Sequence, residues 1–537
     1  MEHPTLEPGS VRDERPTAAR SLRASLHYFS GTLQSQHALI DARRRTLGEL
    51  GGELARQQAE IDGLRQTLVQ REAEIDRLAQ ALARPSRLRL ALRHPVRAVR
   101  YVLRRIVQRL RPVPTPEAVA VALPAPAVDW MSTPVAARVQ PSDYRERMRA
   151  LLDTGLFQGL GTLTLVVPPA LREAGATIER SLAQTGLRCS LVSAMPAQFT
   201  DALYLVVSPC AFTRLPPADR RIVWLVEPAE QATVLAEAVL APLAESLAIF
   251  DASLAHIAAL QARGIALHQT FYVPIDPAGA VDDSALGLAH LLPRALHGCG
   301  AIDDEAFERA TRGTRLDADH LVLCLPESLA RFESARAHLR PGALLVPGLR
   351  HLDGWKGTAL GYRFIARRAL AAGRTRLIVS EDDAEFGEDF EARLAKTLEH
   401  LDLHAGRWDL FSGLLTDLSE HAEVKAVEAS GSDLFLRLDS VIGMVFGIYG
   451  PPALAALATY RVAGNDPMKD TIDRYLEALR LRCVTIFPPL VRHGEDFAST
   501  LWMPEGWRFS SNESMNPMIH RSQLRLVAKI GDCLERA

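Results

Sequence analysis

The sequence predicts an α/β protein of two successive α/β units behind an N-terminal coiled coil. Three observations predict it. Short apolar runs alternate with helical patterns from about residue 145 onward. Leu and Ile recur with a period of 3.5 between Leu33 and Leu82. A third apolar run, Leu377-Ile378-Val379, ends at Glu381-Asp382-Asp383, three consecutive acids at the end of a strand buried on both faces.

At 537 residues the chain is too long for a single core. Its 47% hydrophobic and 23% charged residues are those of a globular protein. A formal net charge of −2 argues against a polyanion binder, so no nucleic-acid partner is expected. Cys189, Cys210, Cys299, Cys324, Cys483 and Cys533 are scattered, without a CxxC or a Cys/His cluster, which argues against a zinc site or a disulfide framework. The N-terminus lacks the basic and apolar regions of a signal peptide, and no apolar run approaches the roughly 20 residues of a membrane span. The expected place is cytoplasmic.

In chain order, residues 1–32 read as disordered. Residues 33–84 read as a coiled coil, with Leu33, Ile40, Leu47, Leu54, Ile61, Leu68, Ile75 and Leu82 at the a positions. Gln36, Arg43, Gln57 and Arg71 interrupt the d seam, and Gly48, Gly51 and Gly52 weaken its first half. The expected consequence is a homo-oligomer. Ten arginines and no acid then fall in residues 84–112, with Val96, Val99, Leu103, Ile106, Val107 and Leu110 at helical spacing. A basic amphipathic helix over 85–112 suits an anionic membrane surface, where each basic residue contributes about 1 kcal/mol. The alternatives are a nucleic-acid patch, which the apolar face disfavours, a protein groove, or packing on its own fold. Residues 113–144 read as a Pro/Ala-rich linker.

Residues 145–300 carry strand-like runs at Leu163–Val167, Arg188–Val192, Leu203–Val207, Ile222–Val226, Leu247–Phe250 and Phe271–Val273, with helical patterns between several of them. This predicts a doubly wound, Rossmann-like parallel sheet. Leu203–Pro209, Ile222–Pro228, Ile249-Phe250-Asp251-Ala252-Ser253, Gly264 and Tyr272-Val273-Pro274 resemble part of a GT-B-type glycosyltransferase, although no Gly-rich phosphate loop is present.

The second unit, residues 318–520, opens with the strand-like Leu321–Leu325. Gly354-Trp355-Lys356-Gly357 reads as a turn before a helix at Tyr362–Ala371. The acidic triplet follows. Three carboxylates at one strand end repel one another unless a cation sits among them. A hard divalent ion shared with a substrate diphosphate is one solution; a solvated strand-to-helix loop is the other reading.

The order of landmarks here resembles glycosyltransferase family 25, the enzymes of lipooligosaccharide biosynthesis together with collagen galactosyltransferases. Leu325-Pro326-Glu327-Ser328 and Arg331 look like the family's first strand and Arg-containing helix. Glu381-Asp382-Asp383 looks like its EDD, and Trp408-Asp409-Leu410 like the strand after it. Gly443 to Tyr449, Ile472-Asp473-Arg474-Tyr475-Leu476, and Phe487-Pro488-Pro489-Leu490-Val491 through Ser499-Thr500 are similar to its later elements. The resemblance covers about residues 318–505. It implies a GT-A-like fold, a nucleotide-sugar donor such as a UDP-sugar, Mn²⁺ or Mg²⁺ as cofactor, and a glycan or lipid-linked acceptor, hence a peripheral position on the inner membrane face.

Residue by residue, the resemblance implies Asp383 as metal ligand, with Glu381 or Asp382 positioning the ribose or a water. Glu381, two residues from Asp383 at the strand end, and His493, beyond the Pro488-Pro489 strand, are further candidates for the same ion. It implies Arg331 and Gly357 near the donor and Asp473 as the base that takes the acceptor proton. Asp473 equally suits a helix first turn, His493 a structural role, and Arg331 a helix surface. The chain departs from the family at one place. Where the family has Gly-Cys and Ser-His, this sequence has Gly357-Thr358 and Gly361-Tyr362. That departure leaves a non-catalytic scaffold as the rival reading.

Overall fold

The computed structural model describes residues 141–155, 157, 162–227, 237–275, 287–462, 464–467, 469–494 and 512–536. The expected coiled coil at 33–84, the basic helix at 85–112 and the linker up to residue 140 lie outside the described residues. Pro141 already opens a helix, Pro141–Asp153, where its fixed φ suits the first turn. Among the described residues no helix is long and apolar enough to cross a membrane. All six cysteines are unpaired.

The first sheet has six parallel strands: β1 (Thr162–Val166), β2 (Arg188–Val192), β3 (Leu203–Val207), β4 (Arg221–Leu225), β5 (Ala248–Asp251) and β6 (Thr270–Tyr272). Their order is β2-β1-β3-β4-β5-β6. Every residue of β3, β4 and β5 is buried, as expected for strands covered on both faces. Trp224, Phe250 and Phe271 stack edge to face across β4, β5 and β6, with centroids 6.0 and 5.7 Å apart. The Trp224 Nε1–H donates to the Val273 carbonyl at 3.1 Å, which satisfies the one polar atom of that buried ring.

The second sheet is mixed. Its eight strands are β7 (His320–Cys324), β8 (Ala343–Pro347), β9 (Leu377–Glu381), β11 (Leu410–Ser412), β12 (Val424–Ser430), β13 (Asp433–Leu438), β14 (Phe446–Tyr449) and β15 (Cys483–Phe487). They run β12-β13-β15-β11-β14-β9-β7-β8. Strands β8, β7 and β9 are parallel, and β14 lies antiparallel between β9 and β11. A separate ribbon pairs β10 (Ala384–Phe386) with β16 (Val491–His493), Ala384 opposite His493. The three acids therefore sit where the large sheet ends and the ribbon begins.

The segment Gly354–Gly357 is not a turn. It forms the first turn of one continuous helix, Gly354–Ala371. The reason is packing. A β-carbon at Gly357 would stand 2.7 Å from the Leu349 carbonyl oxygen, and one at Gly361 would stand 3.2 Å from Leu323. Glycine at both positions lets the helix lie directly on the loop after β8. Each glycine weakens a helix interior by about 1 kcal/mol, and the burial of Trp355, Tyr362, Phe364 and Ile365 outweighs it.

A buried ion cluster joins the two sheets. The Glu327 carboxylate, in the loop after β7, accepts from Arg294 Nη1 at 2.7 Å and Nη2 at 2.9 Å, and from the Tyr272 backbone N–H at 2.8 Å. Arg350 Nη1 stands 3.2 Å away. Burial alone would raise the Glu327 carboxyl, but Arg294 and Arg350 hold it at about 2. In the sequence Glu327 was legible only as part of a motif; in the fold it is the pin between β6, β7 and the helix Leu288–Gly298.

Candidate active site at the end of β9

Strand β9 delivers Glu381 to the carboxyl edge of the sheet, with its backbone N–H fixed to the Val445 carbonyl beside β14 at 2.9 Å. Asp382 and Asp383 follow at once, before β10 turns away. The helix Leu329–Ala337, which follows β7 in the chain, brings Arg331 to the acids. Its Nε donates to Asp382 Oδ1 at 3.0 Å and its Nη2 to Asp383 Oδ2 at 2.8 Å. All three side chains are about 7% exposed or less. A cation does sit among the acids, as repulsion requires, and it is this guanidinium. Arg331 is therefore neither an exposed helix arginine nor held open for a ligand. Its fork aligns the two aspartates.

His493, the last residue of β16, places Nε2 3.5 Å from Asp383 Oδ2. Burial lowers its pKa, but Asp383 and Asn516 together raise it by more, so the net shift is upward. The Gly494 N–H donates to the Asp383 carbonyl at 2.7 Å, so the ribbon holds this residue through backbone as well as side chain. Asp473 lies in the first turn of the helix Ile472–Ala478, where its Oδ1 accepts the Arg474 N–H at 2.9 Å. It also lies within electrostatic reach of Glu381. The fold thus brings five of the six side chains named from the sequence (Glu381, Asp382, Asp383, Arg331 and His493) to the end of β9, and Asp473 is tied to them only through its electrostatic influence on Glu381. Gly357 has a packing role in the helix Gly354–Ala371.

Glu381 is the odd member. Burial raises its carboxyl first, then Asp383, Asp382 and Asp473, and Arg331 offsets only part, so it is pushed up to about 8. A carboxyl whose folded pKa lies above its unfolded value adds stability below the unfolded value and loses it as pH rises through the folded one. Metal-free protein is therefore expected to lose stability between about pH 4.5 and pH 8. Glu381→Gln should flatten that slope in denaturant titrations at pH 5 and 8.5; an unchanged slope would assign the loss to other groups.

A divalent ion would find two ligands here. Two ligands about 2.1 Å from one octahedral ion stand about 3.0 Å apart, so Asp383 and His493 at 3.5 Å need a shift of about half an ångström to share one. The three-ligand set Asp383, Glu381 and His493 is not assembled. Around the triplet no three such donors among the described residues fall within 4.8 Å of one another. Asp383 and His493 are the pair an ion would join, and phosphate oxygens or water would complete it.

Several residues here carried no sequence signal of proximity. Tyr362 and Tyr449 are fully buried beside Glu381, with ring centroids 6.1 Å apart. The Tyr362 hydroxyl donates to the Met444 carbonyl at 2.8 Å. Lys356 Nζ reaches Asn465 Oδ1 at 2.5 Å. Lys356 stands in a stretch read as a turn and Tyr362 on an expected helix, and neither pattern shows what the side chain meets.

No protein-family model matches the chain, and no curated protein matches it. Among solved structures, mannose-1-phosphate geranyltransferase from Thermus thermophilus aligns with 32% of this chain and 74% of its own, at 14% identity and a TM-score of 0.20. A likeness at that level says nothing about function.

Proposed function

We propose that the second α/β unit is a metal-dependent glycosyltransferase of GT-A-like architecture that uses a nucleotide-sugar donor. The observation that carries this reading is the convergence of Glu381, Asp382, Asp383, Arg331 and His493 at the end of one strand. The antiparallel β14 beside β9 and the β10–β16 ribbon immediately after the acids support the GT-A-like assignment. The family 25 resemblance supports the donor class.

In this reading Asp383 and His493 would hold Mn²⁺ or Mg²⁺, which supplies charge neutralisation for the departing diphosphate. Arg331 keeps Asp382 and Asp383 in one orientation, so little reorganisation is needed as charge develops. Asp382, locked by Arg331 and by the Leu325 N–H at 3.4 Å, positions rather than reacts. Asp473 takes the proton of the acceptor hydroxyl, a role supported by its electrostatic influence on Glu381, while Arg331 pairs with Asp382 and Asp383. The acceptor is a surface-polysaccharide or lipooligosaccharide chain. Membrane contact through 85–112 and assembly through 33–84 rest on the sequence patterns.

A second reading, a module that binds nucleotide sugar without turnover, is favoured by one observation. The places of the family's Ser-His pair are used for packing here, Gly361 under Leu323 and Tyr362 into the core. A thermal-shift panel of nucleoside diphosphate sugars with Mn²⁺ tests the first reading. A donor at 100 times its Kd should stabilise the protein by about 2.7 kcal/mol. A shift without transfer or hydrolysis selects the binding module, and no shift from any donor sinks both.

A further inference from the structure

The opposite end of the same sheet carries a second constellation. His400 and His404 lie one turn apart at the C-terminal end of the helix Phe390–Leu403, and Glu428 lies on the edge strand β12. One ligand atom from each falls within 4.8 Å of the other two. We propose that His400, His404 and Glu428 form a Zn²⁺ site, separate from the acidic triplet, that clamps the helix end to the edge strand.

The tautomer of His404 is the first argument. Its Nδ1 lies 2.9 Å from the His400 carbonyl oxygen, and a carbonyl only accepts, so Nδ1 carries the proton. In the neutral ring Nε2 then presents a lone pair, and it faces Glu428 Oε2 at 3.2 Å. Two acceptors facing each other need a proton or a cation between them. A ring N–H held by a backbone carbonyl is also the usual way a metal-binding histidine is oriented.

The spacing is the second argument. Donors 3.2 Å apart, each at a Zn²⁺ bond length near 2.05 Å, subtend about 103° at the ion, close to a tetrahedral angle. The His400 ring is fixed independently. It stacks on Phe435 with centroids 3.8 Å apart and planes 6° apart. Phe435 in turn sits directly across the strand pair from Glu428, so the carboxylate and the stacked ring share one face of β12 and β13. Two nitrogens and one oxygen suit a borderline ion such as Zn²⁺ better than Mg²⁺. The fourth position is left to water. The helix C-terminus adds its negative end to the attraction.

His404 and Glu428 keep side-chain exposures of 28% and 40%, so ions reach them without unfolding. Strand β12 is five strands from β9, on the order of 24 Å at the usual strand spacing. The sequence showed no Cys/His cluster because the third ligand arrives from a different element.

The test is calorimetric titration of full-length, chelator-treated protein with Zn²⁺ alone. Wild type should bind one tight equivalent. His404→Ala and Glu428→Gln should each weaken it by about tenfold or more. Co²⁺ in place of Zn²⁺ should give the visible absorption of a tetrahedral site, absent in both variants. No Zn²⁺ bound by wild type, or binding in both variants as tight as in wild type, would overturn the proposal.

Discussion

Glu327→Ala is expected to destabilise the protein by about 3–5 kcal/mol, because it leaves two buried guanidinium groups without their counter-charge. Arg294 and Glu327 are fully buried, and Arg350 is 2% exposed. Neither arginine can turn to water in place. The loss should appear as a lower denaturant midpoint, and Glu327→Gln should move it in the same direction while keeping the volume. A change below about 1 kcal/mol would mean that the arginines find other partners. The pH dependence is specific. A carboxyl depressed to about 2 contributes stability above its unfolded value near pH 4.5 and loses it as pH falls toward 2. Between pH 5 and 8 the Glu327 contribution is therefore flat. The effect also reaches the site, since Glu327 pins the loop that leads into the Arg331 helix.

Asp383→Asn is expected to reduce glycosyl transfer by about 10²–10³-fold, the range seen when one preorganised electrostatic contact is removed. Asparagine keeps the size and one acceptor oxygen but loses the charge shared with Arg331 and His493. The loss should fall on kcat as well as KM, because the ion acts on charge that develops in the transition state. Folding should be little disturbed, since the change also relieves repulsion with Glu381 and Asp382. Transfer within about threefold of wild type would place the chemistry elsewhere.

Much of the sheet architecture was legible in the sequence for a simple reason. Strands β3, β4, β7 and β9 are continuous β-branched or apolar runs, the pattern of strands covered on both faces. The helix beginning at Gly354 was not. Glycine and proline are ordinarily read as breaks, and only the approach of Leu349 and Leu323 shows why glycine belongs inside this helix. Within the site, the acids were visible because they are consecutive. Arg331 was named through the family resemblance as a donor-side residue, but its pairing with the acids was not visible, since it lies 51 residues before Asp382. The role of Glu327 and the gathering of His400, His404 and Glu428 were hidden for the same reason. Contacts between distant segments leave no local pattern.

The central claim is that the end of β9 is a metal-assisted nucleotide-diphosphate site. Calorimetric titration of UDP into full-length wild type and Asp383→Asn, each with and without saturating Mn²⁺, tests it most directly. Wild type should bind UDP saturably and at least about tenfold more tightly with Mn²⁺, and Asp383→Asn should show no such strengthening. Binding that ignores Mn²⁺, or a Mn²⁺ effect that survives Asp383→Asn, would contradict it.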